Sequence, residues 1–120
     1  MDIDIKLGYD SQYGLPRARL YLAYVDGKVA GCIALKELDS ETCEVKRLYV
    51  RPEFRGLKLG NLLIQKIIDD AKEIGYKAML LDTLPFLKSA IVLYKNFGFY
   101  EIPSYNNNPM DTLIYMKLDL

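Results

Sequence analysis

The residues with the clearest chemical meaning lie in one stretch, RPEFRGLKLGNLLIQKI, residues 51–67. A helix start normally carries Ser, Thr, Asp or Asn to satisfy its first free backbone N–H groups, and none stands between Arg55 and Gly60. Glycine lets the backbone approach a ligand closely, and Arg55 and Lys58 add positive charge at the helix end that already favours anions. The stretch therefore predicts a binding site for a phosphorylated ligand.

The bulk composition limits which protein classes can carry such a site. A chain of 120 residues forms a single domain, 1–120, and 51% hydrophobic with 27% charged residues is typical of a folded globular protein. Sixteen basic and sixteen acidic residues balance, so no overall field favours nucleic acid or an anionic membrane as partner. The start MDIDIKLGYD does not resemble a signal peptide, and no apolar run approaches the roughly 18 residues of a membrane span. We expect a cytoplasmic location.

Cysteine and histidine usage narrows the possible chemistry further. Cys32 and Cys43 have no CxxC spacing, and Cys32 lies in the apolar run VAGCIAL. We expect free thiols rather than a disulfide or a nucleophile. The absence of histidine excludes histidine-based triads and most zinc sites, so no metal is expected.

The elements that must position the phosphate site begin with three strands. Residues 18–25 and 29–38 flank an Asp-Gly turn, which is a strong hairpin signal, and residues 43–50 form the third strand. Simple alternation in this third strand predicts two faces, both partly covered: Val45, Arg47 and Tyr49 on one, and Lys46, Leu48 and Val50 on the other.

A helix is predicted from Gly60 to Ile74, because its aliphatic residues recur at helical spacing: Leu63, Ile64, Ile67, Ile68 and Ala71. Gly75 is expected to end it as a left-handed cap. The rest of the chain predicts a strand at 77–84, a helix at 89–97, strands at 98–102 and 112–120, and a polar loop at 103–111. This order indicates a mixed, partly parallel α/β sheet flanked by helices.

The stretch RGLKLG matches neither a P-loop nor the GxGxxG dinucleotide fingerprint. It does resemble, within LYVRPEFRGLKLGNLL, the acyl-CoA-binding motif Q/R-x-x-G-x-G/A of the GNAT superfamily of N-acetyltransferases. Arg55 takes the first place, Lys58 the first glycine place and Gly60 the last. Lys58 departs from the motif, and it can present its backbone N–H there provided that the loop does not demand a positive φ.

A second stretch, AIVLYKNFGFYEI, is similar to the family pattern A-x-x-L-Y-x-x-x-G-F. The matching residues are Ala90, Leu93, Tyr94, Gly98 and Phe99. An asparagine common in the family three residues before the alanine is Leu87 here. The resemblance covers about residues 20–120, and family members usually begin with a strand and helices that line the acceptor site. Because residues 1–17 show no helical period, this segment is either truncated or built differently.

The resemblance implies the acyl-CoA N-acyltransferase fold, acetyl-CoA as cosubstrate, and transfer of the acetyl group to a primary amine by direct attack on the thioester. The coenzyme contacts carried over from the family motif are Leu48, Tyr49, Val50, Arg55, Gly56, Leu57, Lys58, Leu59, Gly60 and Asn61. The first three belong to a strand whose free backbone groups would pair with the pantetheine arm.

Two residues receive catalytic roles by the same resemblance. Tyr94 corresponds to the general acid near the sulfur, and its alternative role is that of an amphipathic core tyrosine. Glu44 corresponds to the base, and its alternative is a solvated strand-end residue or a partner of Lys46 or Arg47. Either of those two cations is a surface charge or attracts an acceptor carboxylate. Residues 106–108, all asparagine, form a turn or a polar lip over the acceptor.

Three classes of function remain open from the sequence: an active N-acetyltransferase, a non-catalytic CoA-binding module, and a partner-binding domain that keeps only the fold. An uncovered sheet face at the short N-terminal end would also allow a homodimer. The acceptor cannot be named from the sequence, because its side of the chain has the least signal.

Overall fold

The computed structural model describes residues 1–8, 17–106 and 112–120. Its strands are β1 (Ile3–Leu7), β2 (Arg19–Val25), β3 (Lys28–Glu37), β4 (Thr42–Val50), β5 (Ala78–Thr83), β6 (Tyr100–Ile102) and β7 (Ile114–Asp119). The helices are a short 3-10 turn at Pro52–Phe54, α1 (Leu59–Ile74) and α2 (Lys88–Asn96). One sheet has the order β1-β2-β3-β4-β5-β7-β6, and among the strands of the described residues β4 and β5 are the parallel pair. The predicted mixed α/β sheet is confirmed.

The hairpin of β2 and β3 forms at the Asp-Gly turn, as predicted. Asp26 and Gly27 have φ values of 50° and 80°, and Val25 pairs with Lys28 across them. Two successive positive φ values define the type I′ turn, which matches the twist of the strands that it joins.

The first strand, β1, has no counterpart among the predicted elements. It pairs antiparallel with β2, and its sequence IDIKL alternates apolar and polar residues. Five residues of alternation are a weak signal alone, and pairing with β2 supplies the missing stabilisation. Residues 9–16, the rest of the N-terminal segment expected to be atypical, lie outside the described residues.

Helix α1 buries the predicted aliphatic face against the sheet. Its fully buried aliphatic residues include Leu63, Ile64, Ile67, Ile68 and Ala71, which join one cluster with residues from β2 to β5, β7 and α2. Gly75 ends the helix at φ 107° and donates its N–H to the carbonyl of Ala71 at 3.1 Å. The stripe and the left-handed cap are therefore confirmed.

Strand β4 carries a bulge that the alternation pattern does not show. Cys32 pairs with Tyr49 and Ala34 pairs with Lys46, so that Ile33 alone faces two residues of β4. Arg47, one of these two, adopts a φ of 56°. One extra residue reverses the face of everything beyond it.

The predicted faces of β4 are consequently wrong beyond Val45. Leu48 and Val50 pack on the same core cluster as Val45, whereas Arg47 and Tyr49 are exposed. The extra residue at the bulge puts Leu48 three positions after Val45, where regular alternation would place it on the opposite face.

The parallel pairing of β4 with β5 is short. It covers only Thr42 with Ala78, Cys43 with Met79, and Glu44 with Leu80. Beyond Glu44 the two strands separate, so the edge of β4 that faces β5 pairs with no strand of the described residues over its second half. On the other edge Gly31 of β3 lies so close that a Cβ there would stand 2.6 Å from the carbonyl oxygen of Tyr49.

The two cysteines are free thiols, as predicted, with Cys43 buried and Cys32 half-buried. Burial raises the pKa of the Cys43 thiol to about 12. Within the described parts of the chain, no helix combines the length and the apolar character needed to cross a membrane.

Candidate functional site

A cleft of about 550 Å³, here called the long cleft, runs between the open edge of β4, the start of α1 and helix α2. Its lining residues are Leu48, Tyr49, Val50, Arg55, Gly60, Thr83, Phe86, Leu87, Lys88, Ser89, Ala90, Leu93 and Tyr94. Both motifs identified in the sequence contribute to this lining. The structure therefore brings together two stretches that lie about thirty residues apart in the chain.

The start of α1 presents uncapped backbone donors beside the long cleft. Lys58 occupies the N-cap position with no side-chain hydrogen bond, and the helix begins at Leu59, one residue earlier than predicted. The N–H groups of Leu59, Gly60 and Asn61 belong to the first turn, where no carbonyl four residues earlier can accept them. A Cβ on Gly60 would stand 3.1 Å from Leu93, so glycine keeps this approach open.

Lys58 was expected to present its backbone N–H provided that the loop does not demand a positive φ, and the structure does not meet this condition. Its φ is 60° and its ψ is 31°, which is the left-handed conformation that glycine adopts without steric cost. The loop therefore does demand a positive φ at the first glycine place of the motif. A lysine fits there only with strain of about 1 kcal/mol, while its side chain stays exposed.

Arg55 links the loop to the strand edge. Its Nε donates to the carbonyl of Val50 at 3.2 Å, and its guanidinium carbon lies 6.0 Å from the ring centre of Tyr49. This places a positive charge on the lining of the long cleft, as predicted. Lys88, at the start of α2, adds a second cation that the sequence analysis did not identify.

The ten predicted coenzyme contacts divide into three groups. The residues that line the long cleft are Leu48, Tyr49, Val50, Arg55 and Gly60. Leu57 and Leu59 instead pack their side chains into a small cluster with Val25 and Ala30. Gly56, Lys58 and Asn61 are exposed residues of the loop and the first turn. The structure thus places the predicted residues around one helix start, and their roles in binding stay predictions.

A second opening of about 270 Å³, here called the gap, lies where β4 and β5 separate. Its lining residues are Val45, Lys46, Arg47, Leu48, Leu81, Asp82, Thr83, Leu84, Leu87, Tyr94 and Leu113. Four of these also line the long cleft, namely Leu48, Thr83, Leu87 and Tyr94. The long cleft and the gap are therefore adjoining spaces that share one wall.

Tyr94 belongs to that shared wall. It is 6% exposed, its ring packs edge-on against Phe99 at 5.7 Å, and its hydroxyl has no hydrogen-bond partner among the described residues. Burial, with a smaller contribution from the carboxylate of Asp82, raises the pKa of Tyr94 to about 12. The two roles considered for this residue coexist, because its ring belongs to the core and the residue also lines the cleft and the gap.

A third opening of about 520 Å³, here called the side cavity, contains Glu44. Its lining residues are Lys36, Leu38, Asp39, Thr42, Glu44, Lys46, Leu80, Tyr105 and Asn106. Lys46 also lines the gap, whereas Glu44 does not. Glu44 and Tyr94, the two predicted catalytic residues, thus line different spaces that Lys46 connects.

The surroundings of Glu44 contradict a solvated position at the strand end. The residue is 4% exposed, and its carboxylate accepts a hydrogen bond from the Tyr105 hydroxyl at 2.5 Å. The Lys46 ammonium lies 3.4 Å from the other carboxylate oxygen, so the alternative of a lysine partner is correct. Burial and the hydrogen bond to Glu44 raise the pKa of Tyr105, which keeps its hydroxyl a donor.

Two further residues of these openings escaped the sequence analysis. Asp82 is a charged residue in a strand whose other residues predict burial, and Tyr105 is an aromatic residue in a polar loop. These unusual residue types were the signals by which the sequence could have identified both positions. Asn106 lines the side cavity and accepts a hydrogen bond from the Tyr115 hydroxyl at 3.1 Å. The other two asparagines of the predicted turn or lip, 107 and 108, lie outside the described residues.

Solved structures show the same fold. An acetyltransferase from Streptococcus agalactiae superposes with a TM-score of 0.84 at 19% identity, covering 98% of each chain. A GNAT family acetyltransferase from Elizabethkingia anophelis with acetyl-CoA bound gives 0.78 at 20% identity, again over 98% of each chain. A Bacillus subtilis acetyltransferase in complex with CoA gives 0.79 at 19% identity, covering 99% of each chain.

Proteins with similar sequences are N-acetyltransferases by name. An N-acetyltransferase of Schizosaccharomyces pombe is 44% identical over 111 residues, 91% of this chain and 68% of the relative. One from Dictyostelium discoideum is 52% identical over 65% of this chain and 37% of its own length, and one from Escherichia coli is 33% identical over 75% and 56%. Residues 3–99 match the sequence profile of the acetyltransferase (GNAT) family. The chain therefore belongs to the GNAT family of acetyltransferases, a family of acyltransferase enzymes.

Proposed function

We propose that this chain transfers the acetyl group of acetyl-CoA to a primary amine. The single observation that carries the proposal is the position of Tyr94, a buried proton donor on the wall shared by the long cleft and the gap. One space would hold the coenzyme arm and the other would admit the amine. Reaction at their boundary requires both reactants to be held in contact.

The long cleft has the features that coenzyme A requires. The uncapped N–H groups at the start of α1, with the cations of Arg55 and Lys88 on the lining of the same cleft, suit the pyrophosphate, because backbone donors and positive charge both favour an anion. The open edge of β4 offers unpaired backbone groups to the amide-containing pantetheine arm, in the manner of an added strand. Structures of the same fold with acetyl-CoA or CoA bound support the proposal that this chain binds the coenzyme.

The thioester supplies an acyl carbon that is activated toward nitrogen nucleophiles. As the new carbon–nitrogen bond forms, the carbon–sulfur bond breaks, the nitrogen loses a proton and the sulfur gains one. Backbone N–H groups along Leu48 to Val50, which line the long cleft, would stabilise negative charge on the acyl oxygen.

Tyr94 would hold the proton that the sulfur needs. With its pKa at about 12, the phenol is fully protonated at neutral pH. A free thiol has a pKa of about 8.5, so complete proton transfer from such a phenol to an exposed thiolate is uphill. Tyr94 therefore acts mainly by donating a hydrogen bond as charge develops on the sulfur, and by transferring the proton as that charge becomes buried.

Glu44 would take the proton from the amine through the side cavity. Its carboxylate contacts the Tyr105 hydroxyl and the Lys46 ammonium. Because a carboxylate can accept about four hydrogen bonds, it can still accept one from the amine or a water. Because it does not line the gap, we propose that the proton reaches it through a bridging water rather than by direct contact.

A second candidate is a CoA-binding module without catalysis. Two observations favour it: the strained Lys58 in the phosphate loop, and Leu87 at a position where the family often has asparagine. A cytoplasmic location and a homodimer also stay predictions.

The first test is thermal unfolding with acetyl-CoA, CoA, ATP and NAD added separately, because a ligand that binds the folded state raises the melting temperature. We expect a rise with acetyl-CoA and CoA only, followed by release of free thiol when primary amines are supplied. A rise without thiol release from any amine would favour the binding module. No rise with either CoA compound would contradict both candidates.

A further inference from the structure

The gap contains a carboxylate that the proposed reaction has not yet used. Asp82 lies on β5 with its side chain 20% exposed, and it lines the gap together with Tyr94. Glu44 does not line this space. Of these two carboxylates, Asp82 is therefore the one that shares a space with the proposed general acid. The electrostatic influence of Asp82 on the Tyr94 phenol agrees with this proximity.

A primary ammonium already lies between the two carboxylates. The Nζ of Lys46 is 3.4 Å from Glu44 Oε1 and 3.9 Å from Asp82 Oδ2. Lys46 lines both the gap and the side cavity, so its ammonium stands where an amine would pass from one to the other. Its side chain is 35% exposed, which leaves it a route to solvent.

We propose that Asp82 binds the ammonium group of the acceptor in the gap, and that Lys46 holds this position until the acceptor replaces it. The inference rests on the proposed acetyl transfer and names the acceptor-binding residue within it. The chemistry of the displaced group defines the class of the incoming one: an alkyl ammonium on a flexible aliphatic chain. Three N–H donors of such a group match the oxygens that Lys46 contacts in its absence.

The charges around this position also restrict the acceptor. When Lys46 moves to solvent, Glu44 and Asp82 leave two negative charges toward the incoming amine. A carboxylate next to that amine would be repelled at such short range. Arg47 also lines the gap and adds a positive charge to it. Next to the two carboxylates, the charges thus favour an aliphatic amine without an adjacent carboxylate, such as a diamine or a lysine side chain, over an α-amino acid.

The test uses putrescine as the aliphatic amine and glycine as the amino acid, with calorimetric titration in the presence of CoA and with steady-state thiol release from acetyl-CoA. Three variants are compared with the unmodified chain: Asp82→Asn, Lys46→Met and the control Asp69→Asn. Asp69 is an exposed residue of α1 whose side chain accepts a hydrogen bond from Gln65 at 2.9 Å. It lies in none of the three openings.

We expect the unmodified chain to bind putrescine in preference to glycine. Asp82→Asn should weaken putrescine binding roughly tenfold and raise KM for it by a similar factor, with kcat within about threefold, because a charged contact is lost in the bound ground state and the transition state alike. Lys46→Met should strengthen putrescine binding several-fold, since no competing ammonium remains. Asp69→Asn should change neither quantity.

Three results would overturn the inference: unchanged putrescine affinity in Asp82→Asn, weaker binding in Lys46→Met together with a preference for glycine, or no putrescine binding by the unmodified chain. The second would mean that Lys46 binds an acceptor carboxylate. The outcome for the proposed function is read separately. If Asp82→Asn releases thiol as the unmodified chain does, the proposed acetyl transfer is retained and the inference about Asp82 is rejected. If putrescine binding depends on Asp82 but no thiol is released, the inference is retained and the proposed acetyl transfer is rejected.

Discussion

The long cleft and the side cavity differ in how the chain builds them. The long cleft combines backbone groups at one helix start and one open strand edge, within residues 48–60, with the side chains of Arg55 and of residues on α2. The side cavity takes its polar groups from side chains at 36–46 and 105–106, far apart in sequence. A site made of backbone geometry tolerates many side chains, while a site made of side chains changes with each substitution.

This difference separates a shared function from a variable one. Backbone donors and the β4 edge suit a ligand that stays the same throughout a family, and the charges of Glu44, Lys46 and Asp82 suit an acceptor that is specific to this chain. Substitutions in the two regions should consequently affect different kinetic parameters.

The largest effect is expected at Tyr94, on the wall that the long cleft shares with the gap. Tyr94→Phe removes the proposed proton donor and should lower kcat about a hundredfold while the affinity for acetyl-CoA stays within about twofold. Because the pKa of Tyr94 is about 12, ionisation of this group should not lower the unmodified chain's activity at any pH below about 10. Thiol release against pH measures both points. Tyr100→Phe, which loses an exposed hydrogen bond to Asp119, is the control. If kcat in Tyr94→Phe equals that of the unmodified chain, Tyr94 is not the proton donor.

A tenfold effect is expected in the long cleft alone. Arg55→Ala should weaken CoA binding about tenfold, since it removes the cation that we propose to contact the phosphates, together with its hydrogen bond to the Val50 carbonyl. Acceptor KM at saturating acetyl-CoA should not change. The loss should shrink at high ionic strength, as calorimetry at two salt concentrations would show. Arg51→Ala is the matched control, because Arg51 pairs with Glu53 at 3.0 Å outside the cleft. A similar loss in both variants would indicate a general charge effect.

A smaller effect is expected in the side cavity alone. Tyr105→Phe removes the 2.5 Å hydrogen bond to Glu44 and should lower kcat/KM for the acceptor about fivefold, because one hydrogen bond to the carboxylate is lost while the carboxylate itself remains. CoA affinity should be unchanged. Tyr24→Phe, on the distant strand β2, serves as the control. Weaker CoA binding in Tyr105→Phe would show that the two regions are coupled rather than separate.

The smallest effect concerns backbone strain at Lys58, in the loop that leads into α1. Lys58→Gly should raise the free energy of unfolding by up to about 1 kcal/mol, because glycine adopts the observed φ of 60° without a Cβ clash. Lys72→Gly, in the last turn of α1, should lower it by about 1 kcal/mol. Chemical denaturation measures both. If Lys58→Gly destabilises the chain as Lys72→Gly does, the loop does not impose the strained conformation.

Much of the fold could be predicted because its signals are local. The Asp26-Gly27 turn, the aliphatic stripe of α1 and the Gly75 cap each depend on residues within one or two turns of chain. The phosphate loop was recognisable for the same reason, since its donors and cations are sequence neighbours. The positive φ of Lys58 could not be predicted in this way, because a backbone angle in a loop depends on the elements that the loop connects.

The amino-acid sequence by itself determined the hairpin, the two helices, the family motifs and the identity of the groups able to do chemistry. Only the tertiary structure decided the bulge at Arg47, the separation of β4 from β5 beyond Glu44, and the meeting of Lys46 with Glu44 and Asp82. Local elements follow from short-range periodicity and backbone preference. Strand register and the convergence of distant side chains depend on pairing energies between segments far apart in the chain, which local periodicity does not report.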